Sequence, residues 1–149
     1  MVEFETISTQ NKQSVLGIYQ KIYLGDCDLK KLSDMMDKPP HIGFCGYSDN
    51  QLVGFIFANH VVDELDIIEL GVIREFRRLG IAHKFLTYLQ HYCVNQNIKK
   101  IFLEVAENNA AAIGLYEKTG FSKIGIRKNY YSRKGTLIDG LAYCWNSMR

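Results

Sequence analysis

Residues 101–121 of this chain, I-F-L-E-V-A-E-N-N-A-A-A-I-G-L-Y-E-K-T-G-F, leave the backbone few alternatives. Residues 101–106 are a near-continuous apolar run broken by one carboxylate, Glu104, the pattern of a central strand buried on both faces. Asparagines follow, and Asn108 is placed to cap a helix over residues 109–118, where successive alanines are strong helix formers. Gly120 stops that helix, so Tyr116 sits near its end. A carboxylate and a phenol on adjacent elements are the groups one would assemble to move two protons in one reaction.

The rest of the chain supplies a context for that pair. Residues 2–8 alternate imperfectly as a first strand. Thr9 or Asn11 can cap a helix whose Val15, Ile18 and Ile22 form one apolar face up to Leu24. Gly25 ends it, and Asp26 or Asp28 can cap a second helix carrying Leu29, Leu32 and Met35, closed by Pro39-Pro40. From His41 the period changes to that of strands. Residues 42–47 and 52–59 make a hairpin around Ser48-Asp49-Asn50, and a third strand covers residues 65–73. Gly54 and Gly71 interrupt these strands. Such a glycine marks a bulge or a close approach to the backbone, although a plain void is the simpler reading for Gly54.

Residues 74–82, R-E-F-R-R-L-G-I-A, then pass straight from strand to helix. A helix start offers unpaired amides and the positive end of a dipole, and small residues at positions 80 and 82 let an anion approach the main chain. Ile81, Phe85, Leu89 and Tyr92/Cys93 form the apolar stripe of that helix. Residues 121–128 and 137–145 read as two closing strands around Ser132-Arg133-Lys134-Gly135. The predicted order is β-α-α-β-β-β-α-β-α-β-β, an α/β (α+β) arrangement.

Composition narrows the function. At 149 residues, 47% hydrophobic and 23% charged, the chain reads as one globular domain spanning residues 1–149. A formal charge of only +2 argues against a nucleic-acid partner. No apolar segment approaches the roughly 20 residues that span a bilayer, and the acidic first residues do not resemble a signal peptide, so no membrane role and a cytoplasmic location are expected. Cys27, Cys45, Cys93 and Cys144 are dispersed without clustered histidines, which points to small buried hydrophobes and to no metal site.

Residues 77–82 match the R/Q-x-x-G-x-G/A signature of the GNAT acyltransferase superfamily, with alanine in the last place. L-E-V-A-E-N-N-A-A-A-I-G-L-Y-E-K-T-G-F followed by I-R-K-N-Y-Y resembles the RimI branch, the ribosomal-protein-alanine N-acetyltransferases. The resemblance implies the GNAT fold, a central mixed and mostly antiparallel sheet flanked by helices. It implies acetyl-CoA as co-substrate, no metal, and transfer of acetyl to a peptide or protein N-terminus, here the N-terminal alanine of a small-subunit ribosomal protein. The resemblance assigns Leu70, Gly71 and Val72 to the pantetheine arm, and Arg78, Leu79, Gly80, Ile81, Ala82 and His83 to the pyrophosphate. It assigns Asn109 to a further cofactor contact, Glu104 to the general base and Tyr116 to the general acid. Asn129-Tyr130-Tyr131 matches a motif near the substrate end. Two stretches that help form the acceptor site depart from the pattern: residues 23–32 lack the usual aromatic-Pro-Trp element, and Asp139-Gly140-Leu141-Ala142-Tyr143 keeps only part of an acidic-alanine-methionine pattern.

Alternatives stand beside these assignments. Glu104 reads equally, from spacing alone, as a strand-end glutamate paired with Lys99, Lys100 or an arginine, whereas desolvation in the apolar strand would raise its proton affinity. Glu69 is a rival base. Tyr116 reads as core with its hydroxyl satisfied locally, and Tyr130 and Tyr131 as packing or as a grip on substrate. Glu64 and Asp66 read as a solvated edge or as an attraction for a basic substrate. Two other functions share the fold: acetylation of a lysine side chain or small amine, and a CoA-binding sensor or interaction module without turnover.

Overall fold

The computed structural model describes residues 1–23 and 28–147, and the backbone alone at residue 133. Its elements are β1 (Val2–Thr6), α1 (Lys12–Tyr23), α2 (Leu29–Met36), β2 (His41–Ser48), β3 (Gln51–Val61), β4 (Glu64–Val72), a 3-10 turn (Arg74–Phe76), α3 (Ile81–Asn95), β5 (Lys100–Ala106), α4 (Ala110–Lys118), β6 (Ser122–Arg133) and β7 (Thr136–Asn146). The expected order holds, with the 3-10 turn inserted where a direct passage from strand to helix was expected. The helix stop at Gly25, the alternative cap Asp26 and Cys27 lie outside the described residues. Asp28 caps α2, its carboxylate accepting the Lys31 amide at 3.1 Å. Asn11 turns backward: it accepts from the Ser8 amide at 2.8 Å and donates to the Thr6 carbonyl at 3.0 Å, joining β1 to α1.

Among the described residues the strands form one sheet in the order β1-β2-β3-β4-β5-β7-β6, antiparallel except between β4 and β5. Turn chemistry sets the registers of its hairpins. Asp49 and Asn50, with φ 49° and 65°, join β2 to β3, and Lys134 and Gly135, with φ 50° and 78°, join β6 to β7. Positive φ at both central residues is the turn whose twist matches the paired strands.

Each face of the sheet has its own core. On one, Phe85, Leu86, Leu89 and Cys93 of α3 pack with Ile56, Leu65, Ile101, Leu103 and Val105, and α4 joins through Ile113 and Leu115. On the other, Val15, Ile18 and Tyr19 of α1 and Leu32 of α2 cover Cys45, Phe55 and Phe57. Burial raises the Cys45 thiol to about 11 and the Cys93 thiol to about 12, as expected of cysteines serving as hydrophobes, whereas Cys144 is only half-buried.

Two expectations change. At Gly54 there is no void: a Cβ would stand 2.6 Å from the Gly71 carbonyl oxygen and 3.0 Å from the Phe85 ring. In β5, Ile101, Leu103 and Val105 are buried but Phe102 and Glu104 remain partly exposed, so the strand is not buried on both faces. The reason is coverage. Helix α1 packs on β3 and β4 and α2 on β2, leaving the second face of β5 open.

Candidate active site

The ladder between β4 and β5 stops early. It pairs Glu64 with Lys100, Leu65 with Ile101 and Asp66 with Phe102, yet β4 continues to Val72 and β5 to Ala106. A bulge at Ile68 marks the divergence, since Ala58 pairs with Ile67 and Phe57 with Glu69. The sheet therefore opens in its middle, with Leu70, Gly71 and Val72 along one arm and residues 103–106 along the other.

Beyond the first arm lies the turn into α3. Arg78 has φ 64° and Gly80 φ 80°, and no side chain caps the helix start at Ile81. A left-handed residue in such a turn aims neighbouring backbone N–H groups toward one point, and the helix dipole adds positive potential there. A cleft of about 810 Å³ faces this turn, lined by Arg77, Arg78, His83, Lys84 and Lys118 with apolar Val72, Ile81 and Leu115. Arg77 Nε donates to the Val72 carbonyl at 2.9 Å and fastens the turn to the end of β4.

On the open face lies a groove of about 760 Å³, lined by Glu64, Asp66, Glu104, Arg127, Tyr130 and Tyr131 among others. A wide bulge in β6 shapes it: Arg127 pairs with Gly140 and Tyr131 with Ile138, so residues 128–130 stand opposite Asp139 alone. The Asp139 carboxylate accepts the Asn129 amide at 2.9 Å and meets Lys128 at 3.2 Å, which together hold it below the usual carboxylate range. Asn129 takes φ 55°, and a Cβ at Gly140 would press on Tyr130 and Tyr131 at 3.2–3.3 Å. The tyrosines meet edge to face with centroids 4.9 Å apart, and the Arg127 guanidinium lies 4.7 Å over the Tyr130 ring. The same guanidinium is 3.5 Å from Glu104 Oε1, a buried oxygen that accepts no hydrogen bond among the described residues.

Tyr116 is delivered from the opposite face. The Phe121 amide bonds the Tyr116 carbonyl at 3.0 Å and the Gly120 amide that of Glu117 at 3.2 Å, a double closure permitted by φ 94° at Gly120. The accompanying apolar contact is between the Tyr116 and Phe121 rings, 5.8 Å apart. Burial raises the Tyr116 phenol above its ordinary pKa, and the charges of Glu69 and Tyr131 add to the effect. Glu69 itself accepts a 2.5 Å hydrogen bond from Tyr23 at the end of α1. Burial raises the Glu69 carboxyl, and the Tyr23 bond partly reverses this.

Residues 12–121 match the family described as "Acetyltransferase (GNAT) family". The chain belongs to the GNAT acetyltransferase family. The [ribosomal protein bS18]-alanine N-acetyltransferase of Salmonella typhimurium is 34% identical over 84 residues, 56% of this chain and 57% of that protein. The N-alpha-acetyltransferase of Saccharolobus solfataricus is 34% identical over 102 residues, 60% and 61% of the two chains. The match thus spans less than two thirds of these relatives. The crystal structure of the ribosomal-protein-S18-alanine N-acetyltransferase from Escherichia coli superposes with TM-score 0.90 at 23% identity, covering 100% of this chain and 96% of that one. Arabidopsis thaliana NAA60 in complex with a bisubstrate analogue superposes with TM-score 0.81 at 18% identity, covering 98% of each. At these identities the likeness is one of fold.

Within this GNAT chain the expected residues divide. Val72, Arg78, Gly80, Ile81, Ala82 and His83 line the basic cleft, whereas Leu79 is 63% exposed outside it. Leu70 packs against the core, and at Gly71 the close neighbour is the Phe55 ring, 2.5 Å from where a Cβ would be. Asn109, not Asn108, caps α4, accepting the Ala112 amide at 3.2 Å, and it does not line the cleft. Glu104, Tyr130 and Tyr131 share the groove, and the ion pair foreseen for Glu104 is made with Arg127, while Lys99 pairs with Asp63 at 3.7 Å. Arg77, Lys84 and Lys118 in the cleft, and Arg127 and Tyr23 beside the carboxylates, were not foreseen. Arg77, as the first residue of the signature, and Arg127, within I-R-K-N-Y-Y, had a sequence signal.

Proposed function

We propose that this chain transfers acetyl from acetyl-CoA to a protein N-terminal α-amine, the N-terminal alanine of a small-subunit ribosomal protein being the favoured acceptor. The observation that carries this reading is the divergence of β4 and β5, which joins a basic cleft on one side to an acidic, aromatic groove on the other. The names of the bS18-alanine acetyltransferases among its relatives support the choice of acceptor.

The residues present fit acetyl-CoA. The uncapped helix start, with Arg78, Gly80, Ile81, Ala82 and His83, would hold the pyrophosphate, and Lys118 adds charge across the cleft. The main chain of Leu70, Gly71 and Val72, freed from β5, would take the pantetheine amides. When bound, acetyl-CoA supplies an activated acetyl group and a thiolate leaving group. Glu104 receives a proton from the amine in the groove, and Tyr116 holds a proton at Oη for the departing sulfur. An α-amine, with pKa about 7.7–8, yields its proton to one carboxylate far more readily than a lysine near 10.4. The uncovered carboxylates Glu64 and Asp66 favour a cationic amino terminus at the groove.

Glu69 is the second reading for the base, favoured by its half-buried position and its hydrogen bond to Tyr23. Among the described residues no helix is long and apolar enough to cross a membrane, and a cytoplasmic ribosomal protein is the partner this reading calls for.

The test is an acetyl-transfer panel of peptides differing in first residue and in N-terminal blocking, read by mass spectrometry. Product on free N-terminal alanine peptides alone supports the proposal. Transfer to blocked peptides moves the acceptor to lysine, and acetyl-CoA binding with no product on any amine turns the chain into a sensor.

A further inference from the structure

We propose that Tyr23 is a positioning residue of the acetyl-transfer site: its hydroxyl fixes the Glu69 carboxylate at the opening between β4 and β5, from where that charge acts on Tyr116. This rests on the reading of Tyr116 as proton donor. Register places Glu69 on the same face as Glu104, one carboxylate on each diverging arm, because Glu69 pairs with Phe57 of the α1-covered core while Leu103 and Val105, flanking Glu104, point into the α3 core. Their partners differ in kind. Glu104 lies 3.5 Å from a guanidinium, whereas Glu69 takes a 2.5 Å hydrogen bond from a neutral phenol.

A neutral donor orients a carboxylate without cancelling its charge. Glu69 therefore remains a local negative charge beside a donor that must stay protonated, and that charge opposes ionisation of Tyr116. The Tyr23 ring is itself held: it packs on Tyr19 at 4.5 Å, and Tyr19 packs on Phe55 at 5.6 Å. Glu69 acts on Tyr23 from α1 and on Tyr116 from α4; Tyr19 from α1 and Arg77 from the turn before α3 also act on Tyr23, and Tyr131 from β6 on Tyr116. Tyr23 touches the carboxylate by a hydrogen bond, and it does so from the last turn of α1, so the position of that helix end is transmitted to the centre of the sheet.

The experiment compares wild type with Tyr23→Phe and Glu69→Gln, using NMR of carbon-labelled tyrosine Cζ and glutamate carboxyl groups without substrate, together with pH profiles of kcat and kcat/KM. Tyr116→Phe and Glu69→Gln assign the resonances. In Tyr23→Phe, which keeps the ring and removes one hydrogen bond, the Glu69 midpoint rises by about half to one pH unit. In Glu69→Gln the Tyr116 midpoint falls. The basic limb of kcat in Glu69→Gln moves downward with the Tyr116 midpoint, and acetyl-CoA affinity in both variants stays within about twofold of wild type. Unmoved midpoints, or a uniform loss of kcat at every pH, overturn the proposal. Should no amine be acetylated, the function proposed above fails, and the substrate-free midpoints still decide whether Tyr23, Glu69 and Tyr116 are coupled.

Discussion

Glu69 on β4 and Glu104 on β5 face the same side of the sheet from opposite arms of the opening, the first held by the phenol of Tyr23 and the second by the guanidinium of Arg127. Their amide variants are expected to behave differently. Glu104→Gln lowers kcat about 10²- to 10⁴-fold, the range for loss of a general base, and leaves acetyl-CoA affinity within about twofold. Glu69→Gln keeps an acceptor for Tyr23 and removes a half-buried charge, so its Tm rises by about 2–4 °C. Glu104→Gln leaves Arg127 without its partner and brings no such rise. Steady-state kinetics, calorimetric binding and thermal melts separate the two, and a fall in affinity with kcat intact in Glu104→Gln would remove it from the chemistry.

Tyr116→Phe tests the donor. The ring and its contact with Phe121 survive, so the fold and acetyl-CoA binding persist while kcat falls about 10²-fold or more. Because burial and Glu69 raise the wild-type phenol, activity gained as the amine deprotonates near pH 8 does not decline until above the ordinary tyrosine range near 10. A wild-type basic limb below pH 9 would show that another group limits the rate.

Stability at high pH follows from the same phenols. Tyr23 and Tyr116 are both raised in the folded state, mainly by burial. Their contribution is therefore complete below the unfolded value of about 10 and is lost as pH rises through the folded values. Urea unfolding at pH 7 and pH 11 should show wild type losing more stability over that interval than Tyr23→Phe. Equal losses in the two proteins would contradict this account.

Gly80 occupies φ 80° at the uncapped start of α3. A β-branched residue there costs about 1–2 kcal/mol in backbone strain, relieved by moving the amides that face the cleft. Gly80→Val should weaken acetyl-CoA binding about tenfold or more, with kcat at saturation within about threefold of wild type. Unchanged affinity would place the pyrophosphate elsewhere.

Val62 offers a test unconnected with catalysis. It joins β3 to β4 with φ 57° and is 88% exposed, so its branched side chain carries strain and almost no burial. Val62→Gly should raise Tm by about 2–4 °C, relief of strain exceeding the added chain entropy of glycine. Acetyl transfer should be unaffected.

Much of the architecture was legible because it is written in local periodicity. The alternation and turn residues of β2, β3, β6 and β7, the stripe Ile81, Phe85, Leu89 and Cys93, and the stop at Gly120 each depend on neighbours within a few positions. Asn109 shows the resolution of such reasoning: two adjacent asparagines were available to cap α4, and spacing alone placed the cap one residue too early. Covering of β5 was harder, since an apolar run states that a strand is buried without stating what leaves its second face open.

By itself the sequence determined the order of elements, the glycine-bearing turn at residues 78–82, and the placing of a carboxylate at Glu104 and a phenol at Tyr116. Tertiary structure alone decided the early end of the β4–β5 ladder, the ion pair of Glu104 with Arg127, and the bond between Tyr23 and Glu69, 46 positions apart. The physical reason is range. Propensity, capping and amphipathic spacing act between residues close along the chain, whereas the charge acting on a buried phenol is set by side chains brought together only when the sheet has closed around them.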